Sequence, residues 1–249
     1  MTIVDGHVHV GLTKYVPAEV LLAQMEVAGI DKALLVQYGS CHDNVYLRQC
    51  MDRFPGRFAS LGGVDYTADD VADRIRREVS ENNLAGLRIP AVTRSEAVWE
   101  TVGELGIMAS LSGGIAGMID PQMEEYIKRF PGARFRIEHM GWFPDVSRAP
   151  DYAEYERLLS YSAYPNVVFM VSGFYAFGEV YPYMEAVPFI ERVLEAYGPE
   201  RMIWGSDFPP VAGKETVSMT LEMVRTWGCF SESDLEWVLG KSAMSVLDF

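Results

Sequence analysis

Eight short apolar runs, each followed by a longer amphipathic stretch, recur from residue 3 to the C-terminal region. This alternation constrains the fold more than any other feature of the chain. The runs are Ile3 to Val8, Ala33 to Gln37, Phe58 to Val64, Ala85 to Ile89, Ile107 to Leu111, Phe135 to Glu138, Val167 to Val171 and Met202 to Trp204. Helix-like segments lie between them, among them Ala18 to Ala28, Asp69 to Ser80, Gln122 to Arg129, Tyr152 to Ser160, Phe189 to Tyr197 and Thr216 to Thr226. Pro17 and Pro121 suit helix starts, and Pro55-Gly56 and Pro131-Gly132 suit the turns into the next strand. Near-continuous apolar strands joined by helices form a parallel sheet covered on its faces. Eight such units favour closure, so the spacing predicts an α/β fold, a (β/α)8 TIM barrel occupying residues 1–249 as a single domain. The competing architecture, an open doubly wound sheet, would usually show a Gly-rich phosphate loop after the first strand. This chain has Asp5-Gly6-His7-Val8-His9 there.

Composition narrows the function. The 249 residues are 49% hydrophobic, enough for one large core. A formal net charge of −14 repels phosphate backbones and anionic lipid, which argues against nucleic-acid and membrane-surface partners. The start of the chain has no basic and apolar leader pattern and no later run is long enough to span a bilayer, so a cytoplasmic, soluble protein is expected. Cys41, Cys50 and Cys229 are far apart and form no CxxC pair, so they read as ordinary reduced thiols.

All four histidines, His7, His9, His42 and His139, fall at or just beyond the C-terminal end of an expected strand, the catalytic face of a barrel. His7 and His9 are two apart, so on an extended strand both imidazoles project to one side. Such a pair can bind a divalent metal or donate hydrogen bonds to a substrate carbonyl. Asp207 ends the last strand, and closure of the barrel puts that end beside the first. Arg88, at the end of the fourth strand, suits a bidentate clamp on a substrate carboxylate, with a salt bridge inside the barrel as the alternative. Tyr38, His42, Trp142, Tyr175 and Phe208 follow strand ends and suit an aromatic-lined pocket. The stretch from Phe174 to Tyr183 is too polar and too broken by Gly and Pro for a core helix. It reads as a substrate cover or a contact in a homo-oligomer.

Several motifs resemble the amidohydrolase superfamily, specifically its amidohydrolase-related branch. They are Asp5-Gly6-His7-Val8-His9, Arg136-Ile137-Glu138-His139-Met140-Gly141 and Trp204-Gly205-Ser206-Asp207-Phe208-Pro209. Val36-Gln37-Tyr38-Gly39 with Asp43-Asn44, Gly86-Leu87-Arg88, Val171-Ser172-Gly173 and Gly240-Lys241-Ser242-Ala243 extend the likeness over nearly the whole chain. Within the branch the sequence is most similar to the group that hydrolyses 2-pyrone-4,6-dicarboxylate and sugar lactones, some of whose members work without a metal. The resemblance implies that His7 and His9 hold a metal or the substrate carbonyl, that His139 contacts the reacting carbonyl, and that Asp207 activates water. Ser172, from the Val171-Ser172-Gly173 motif, joins Arg88, Tyr38, His42, Trp142 and Tyr175 as the expected substrate-binding set.

Two departures matter. Strand four ends in Arg88-Ile89-Pro90 and strand five in Ser110-Leu111-Ser112-Gly113-Gly114, so the additional His or Lys ligands of a binuclear centre are missing. One divalent metal, zinc by preference, on His7, His9 and Asp207 is one reading, and no metal is the other. Strand seven has Met170 and Val171 before Ser172-Gly173, where related sequences often carry a Lys. The expected activity is hydrolysis of a small carboxylated lactone, the partner being a small anionic molecule. The alternatives are a metal-dependent decarboxylase of an aromatic or muconate-type acid and a ligand-binding barrel without catalysis.

Overall fold

The computed structural model describes residues 1–142 and 155–249. Eight strands, β1 (Val4–Val8), β2 (Lys32–Val36), β3 (Phe58–Gly62), β4 (Gly86–Pro90), β5 (Met108–Ser112), β6 (Arg134–Ile137), β7 (Val167–Val171) and β8 (Met202–Trp204), lie in chain order in one sheet. Each is parallel to the next. The sheet closes at the C-terminal end of β1. Val8 bridges Phe208, the Asp207 amide donates to the His7 carbonyl at 2.9 Å, and the His9 amide donates to the Phe208 carbonyl at 2.7 Å.

Two glycines permit that seam. A Cβ on Gly6 would lie 2.7 Å from the Trp204 carbonyl oxygen, and one on Gly205 would lie 2.8 Å from the His7 nitrogen. Both are closer than a side chain tolerates, so the glycines flanking the motif residues serve strand closure. Asp5 staples the same seam, its Oδ1 accepting from the Ser206 amide at 2.8 Å and the His7 amide at 3.2 Å. Burial lifts this carboxyl to about 7.

The helices that follow the strands are α1 (Ala18–Ala28), α2 (Val45–Arg53), α3 (Val71–Asn82), α4 (Glu96–Leu105), α5 (Pro121–Arg129), α6 (Glu156–Ser160), α7 (Val187–Tyr197) and α8 (Val217–Thr226). Local chemistry sets their ends. In α5 the Asp120 side chain accepts from the Gln122 amide, Pro121 occupies the first turn, and Lys128 and Arg129 face the negative end of the helix dipole. The helix expected from Tyr152 to Ser160 is described from Glu156 onward, and its part up to residue 154 lies outside the described residues. β7 and β8 have the expected ends, and the other strands differ from expectation by one or two positions at one end or both. β3 stops at Gly62 because the next amide, of Gly63, is taken by the Asn44 side chain at 3.0 Å rather than by a neighbouring strand.

Alternate strand residues serve two cores. Leu87, Ile89, Ala109, Leu111, Phe135 and Ile137 join the large cluster between sheet and helices. Val4, Leu34, Ala59, Leu61, Met108, Val168 and Ile203 belong to a second, smaller one, as expected for the barrel interior. Among the described residues no helix is long and apolar enough to cross a membrane.

Candidate active site

His7 and His9 leave the end of β1 on the same side, and Asp207 follows β8 across the closing seam. The result is a compact group. His7 Nε2 and His9 Nε2 are 3.2 Å apart. Asp207 Oδ1 lies 3.3 Å from His9 Nε2 and 3.7 Å from His7 Nε2. His139 joins from β6, its Nε2 4.0 Å from Asp207 Oδ2 and its ring 4.7 Å from that of His7. All four side chains are buried.

Backbone strain presents two of them. His139, Met140, Gly141 and Trp142 all have positive φ, between 44° and 73°, and Asp207 has φ 60°. Left-handed backbone disfavours non-glycine residues by roughly 1–2 kcal/mol each, and such strain gathers where function fixes geometry.

Charges on the site follow from its surroundings. Burial, with His139, His9, Arg136 and Arg88 nearby, holds His7 well below the usual histidine range, and burial also lowers His139. Both are neutral at pH 7. Burial alone would raise Asp207, but the N–H groups of the surrounding imidazoles and the Tyr175 hydroxyl outweigh it, so Asp207 is held below its ordinary value and ionised. Tyr175 donates to Asp207 Oδ2 at 2.6 Å. Asp207 Oδ1 is buried with no hydrogen-bond partner among the described residues.

Beneath the imidazoles lies an ionic cage that the sequence reading did not single out. Arg88, Ser110 and Arg136 share one register row across β4, β5 and β6. Arg88 donates through Nε and Nη2 to Glu138 at 2.9–3.2 Å, and Ser110 donates to Glu138 Oε1 at 2.6 Å. Arg136, fully buried, donates to Ser110 Oγ at 2.9 Å, to the Gly6 carbonyl at 2.5 Å and through Nη2 to His7 Nδ1 at 3.0 Å. Burial draws Arg136 down to about 10, still charged at neutral pH, and the two arginines hold Glu138 ionised despite its burial. The signal was the alternation of Arg134, Arg136 and Glu138 along β6, which puts charges on the inward face of a strand.

The expected binding residues divide into two groups. Trp142 stacks edge-on to His139 at 4.6 Å, the Ser172 hydroxyl meets His139 Nδ1 at 2.7 Å, and Tyr175 holds Asp207. Tyr38, His42 and Arg88 line a separate cavity of about 550 Å³ beside the cluster, together with Gln37, Tyr66 and Ser112. His42 is exposed and does not join the other three histidines, because it lies in the loop between β2 and α2, beyond the strand end. Arg88 takes the salt bridge inside the barrel, with Nη1 left outside that pair. Tyr15, missed in the sequence, stacks on His9 at 5.0 Å and meets Tyr38 edge-on. The stretch from Phe174 to Tyr183 packs on the body. Phe174 meets Trp227, the Trp227 indole donates to the Pro182 carbonyl, and Tyr181 donates to the Met219 carbonyl.

Two groupings bring ligand atoms within 4.8 Å of one another and could hold a metal ion: His7, His9 and Asp207, and His7, Glu138 and His139. In the first, the spacing suits a tetrahedral zinc, whose ligand atoms sit roughly 3.3 Å apart. His9 fits as a ligand, since its Nδ1 donates to the Val36 carbonyl at 2.6 Å and leaves Nε2 bare. Asp207 Oδ1 fits as well. His7 does not: its Nδ1 faces a guanidinium, which cannot accept, so the proton of the neutral ring sits on Nε2, the atom that would have to bind the metal. In the second grouping Glu138 is already engaged by Arg88 and Ser110. The described residues do not fit a metal held by His7, His9 and Asp207 together.

Comparison with known proteins adds the family. The sequence profile described as amidohydrolase matches residues 5–249. An L-fucono-1,5-lactonase of Burkholderia ambifaria is 26% identical over 201 residues, covering 77% of this chain and 68% of its own length. A 2-pyrone-4,6-dicarboxylate hydrolase of Comamonas testosteroni is 26% identical over 239 residues, covering 83% of this chain and 76% of its own. A crystal structure of an amidohydrolase from Burkholderia multivorans with bound zinc superimposes with a TM-score of 0.78 at 18% identity, over 99% of each chain.

Proposed function

Because the chain belongs to the amidohydrolase family, we propose that it is a hydrolase that opens a small carboxylated lactone, with Asp207 as the base that activates water. The observation that carries this reading is the buried, ionised Asp207, whose Oδ1 has no partner among the described residues while Tyr175 fixes Oδ2. The relatives named as lactonases support the choice of a cyclic ester.

A water donating to Asp207 Oδ1, the oxygen that Tyr175 leaves open, is held against the carboxylate that takes its proton. The His7 Nε2–H and an N–H of His139 polarise the lactone carbonyl, and donors of this kind contribute typically about 3 kcal/mol each to the developing oxyanion. Asp207 takes a proton as the water oxygen bonds to the carbonyl carbon. When the tetrahedral intermediate collapses, the bond from that carbon to the ring oxygen breaks, and Asp207 returns the proton to the departing oxygen. Water and lactone leave as one hydroxy acid. Arg88, through its remaining Nη1, attracts the carboxylate of a substrate seated in the neighbouring cavity. The decarboxylase alternative depends on a metal at the His7 position, which the proton on its Nε2 disfavours. No step here passes through zinc.

The test is ring opening of a panel of carboxylated lactones by the wild type and by Asp207→Asn. Turnover in the variant falls by roughly 100- to 10,000-fold with the thermal midpoint little changed. Near-normal turnover in a folded Asp207→Asn protein would sink the mechanism, and wild-type inactivity across the panel would leave a ligand-binding barrel.

A further inference from the structure

We infer that Arg136 is the residue that decides whether the His7–His9 pair works as a hydrogen-bonding dyad or as a metal site, and that it sets the two rings in opposite tautomers. A guanidinium has five N–H donors and no acceptor, so His7 Nδ1, 3.0 Å from Arg136 Nη2, is bare and the ring proton sits on Nε2. The Val36 carbonyl has no donor, so His9 Nδ1, 2.6 Å away, carries the proton and Nε2 is bare. The two Nε2 atoms face each other at 3.2 Å as one donor and one acceptor, a self-consistent N–H···N bond.

Arg136 cannot swing away to release His7. It is fully buried, and its other nitrogens are spent on Ser110 Oγ and the Gly6 carbonyl. For a divalent ion to take His7 Nε2, the proton would have to move to Nδ1 and point at the guanidinium. A cation beside the site adds repulsion to that cost. Arg136 therefore acts through His7 as a positioning residue. It keeps on His7 Nε2 an N–H that a substrate carbonyl takes over from His9 on binding, and it keeps an available metal from displacing that N–H. This inference concerns the resting protein and does not depend on a lactone being the substrate.

The experiment is long-range ¹H–¹⁵N correlation of the imidazole rings in chelator-treated protein, before and after Zn²⁺ is added. With four histidines in the chain, His7 and His9 are assigned by His→Gln variants. The expected spectrum shows His7 protonated at Nε2 and His9 at Nδ1. A His7 proton on Nδ1, or His7 Nε2 shifted as a ligand by one equivalent of Zn²⁺, overturns the inference. In Arg136→Met the constraint is gone, and Zn²⁺ binds about 10- to 100-fold tighter by competition with a chromophoric chelator, the usual size of effect for a residue behind a ligand. Equal or weaker zinc binding by a folded Arg136→Met protein also overturns it. A variant merely loosened in structure would not gain zinc affinity. If Arg136→Met does not fold, the wild-type spectrum alone decides.

Discussion

The two sides of the barrel mouth use charge in opposite ways. On the side of β1, β6 and β8 the space is filled: three imidazoles, Asp207, Arg136 and Glu138 are buried against one another and almost every polar atom has an assigned partner. On the side of β2 to β4 the mouth is open, a cavity of about 550 Å³ lined by Tyr38, His42 and Tyr66, with the Tyr66 hydroxyl tied to the Arg88 carbonyl at 2.8 Å. Crowding fixes protonation states and tautomers, which chemistry needs. Openness leaves room for a ligand, which recognition needs. Arg88 belongs to both, bonded to Glu138 on one side and lining the cavity on the other.

Breaking the crowded side should have the larger effect. Glu138→Ala leaves Arg88 and Arg136 buried beside each other without their counter-ion. Unfolding by denaturant is expected to show a loss of about 3–5 kcal/mol, with activity lost in parallel. A loss below 1 kcal/mol would mean that the cage contributes little. On the open side the smaller effect is kinetic. Arg88→Met retains the Arg136–Glu138 contact and raises KM for a carboxylated lactone by roughly ten-fold, with kcat less affected, as loss of one charge-assisted hydrogen bond implies. An unchanged KM would remove Arg88 from recognition and leave it a structural partner of Glu138. The reverse pattern, kcat down and KM steady, would move Arg88 to the chemical step.

The sequence made the crowded side partly legible. An apolar strand can be read from its period, and the meeting of His7, His9 and Asp207 follows once eight strands close in order. The ionic cage was harder. Arg136 and Glu138 stand in a motif that was noticed for His139, yet a single sequence does not show that Arg88, Ser110 and Arg136 share a register row, because register depends on where each strand begins. The left-handed run from His139 to Trp142 left only Gly141 as a trace. His42 lines the cavity and stands apart from the other imidazoles, because proximity to a strand end in sequence does not fix direction once the chain has entered a loop. The aromatic stretch after β7 looked unsuited to a core, but Phe174 and Tyr183 are buried against α8 and its flanks, contacts remote in sequence.

The central claim is that this site activates water through Asp207 and polarises the carbonyl through histidine N–H groups. It is tested most directly by measuring kcat/KM for a carboxylated lactone with protein stripped of metal by chelation, beside the same protein given Zn²⁺. The stripped enzyme is expected to keep its activity within about two-fold and zinc is expected not to raise it, since a bound Lewis acid would have to displace the N–H proposed to polarise the carbonyl. Activity that vanishes on chelation and returns with one equivalent of zinc would contradict it.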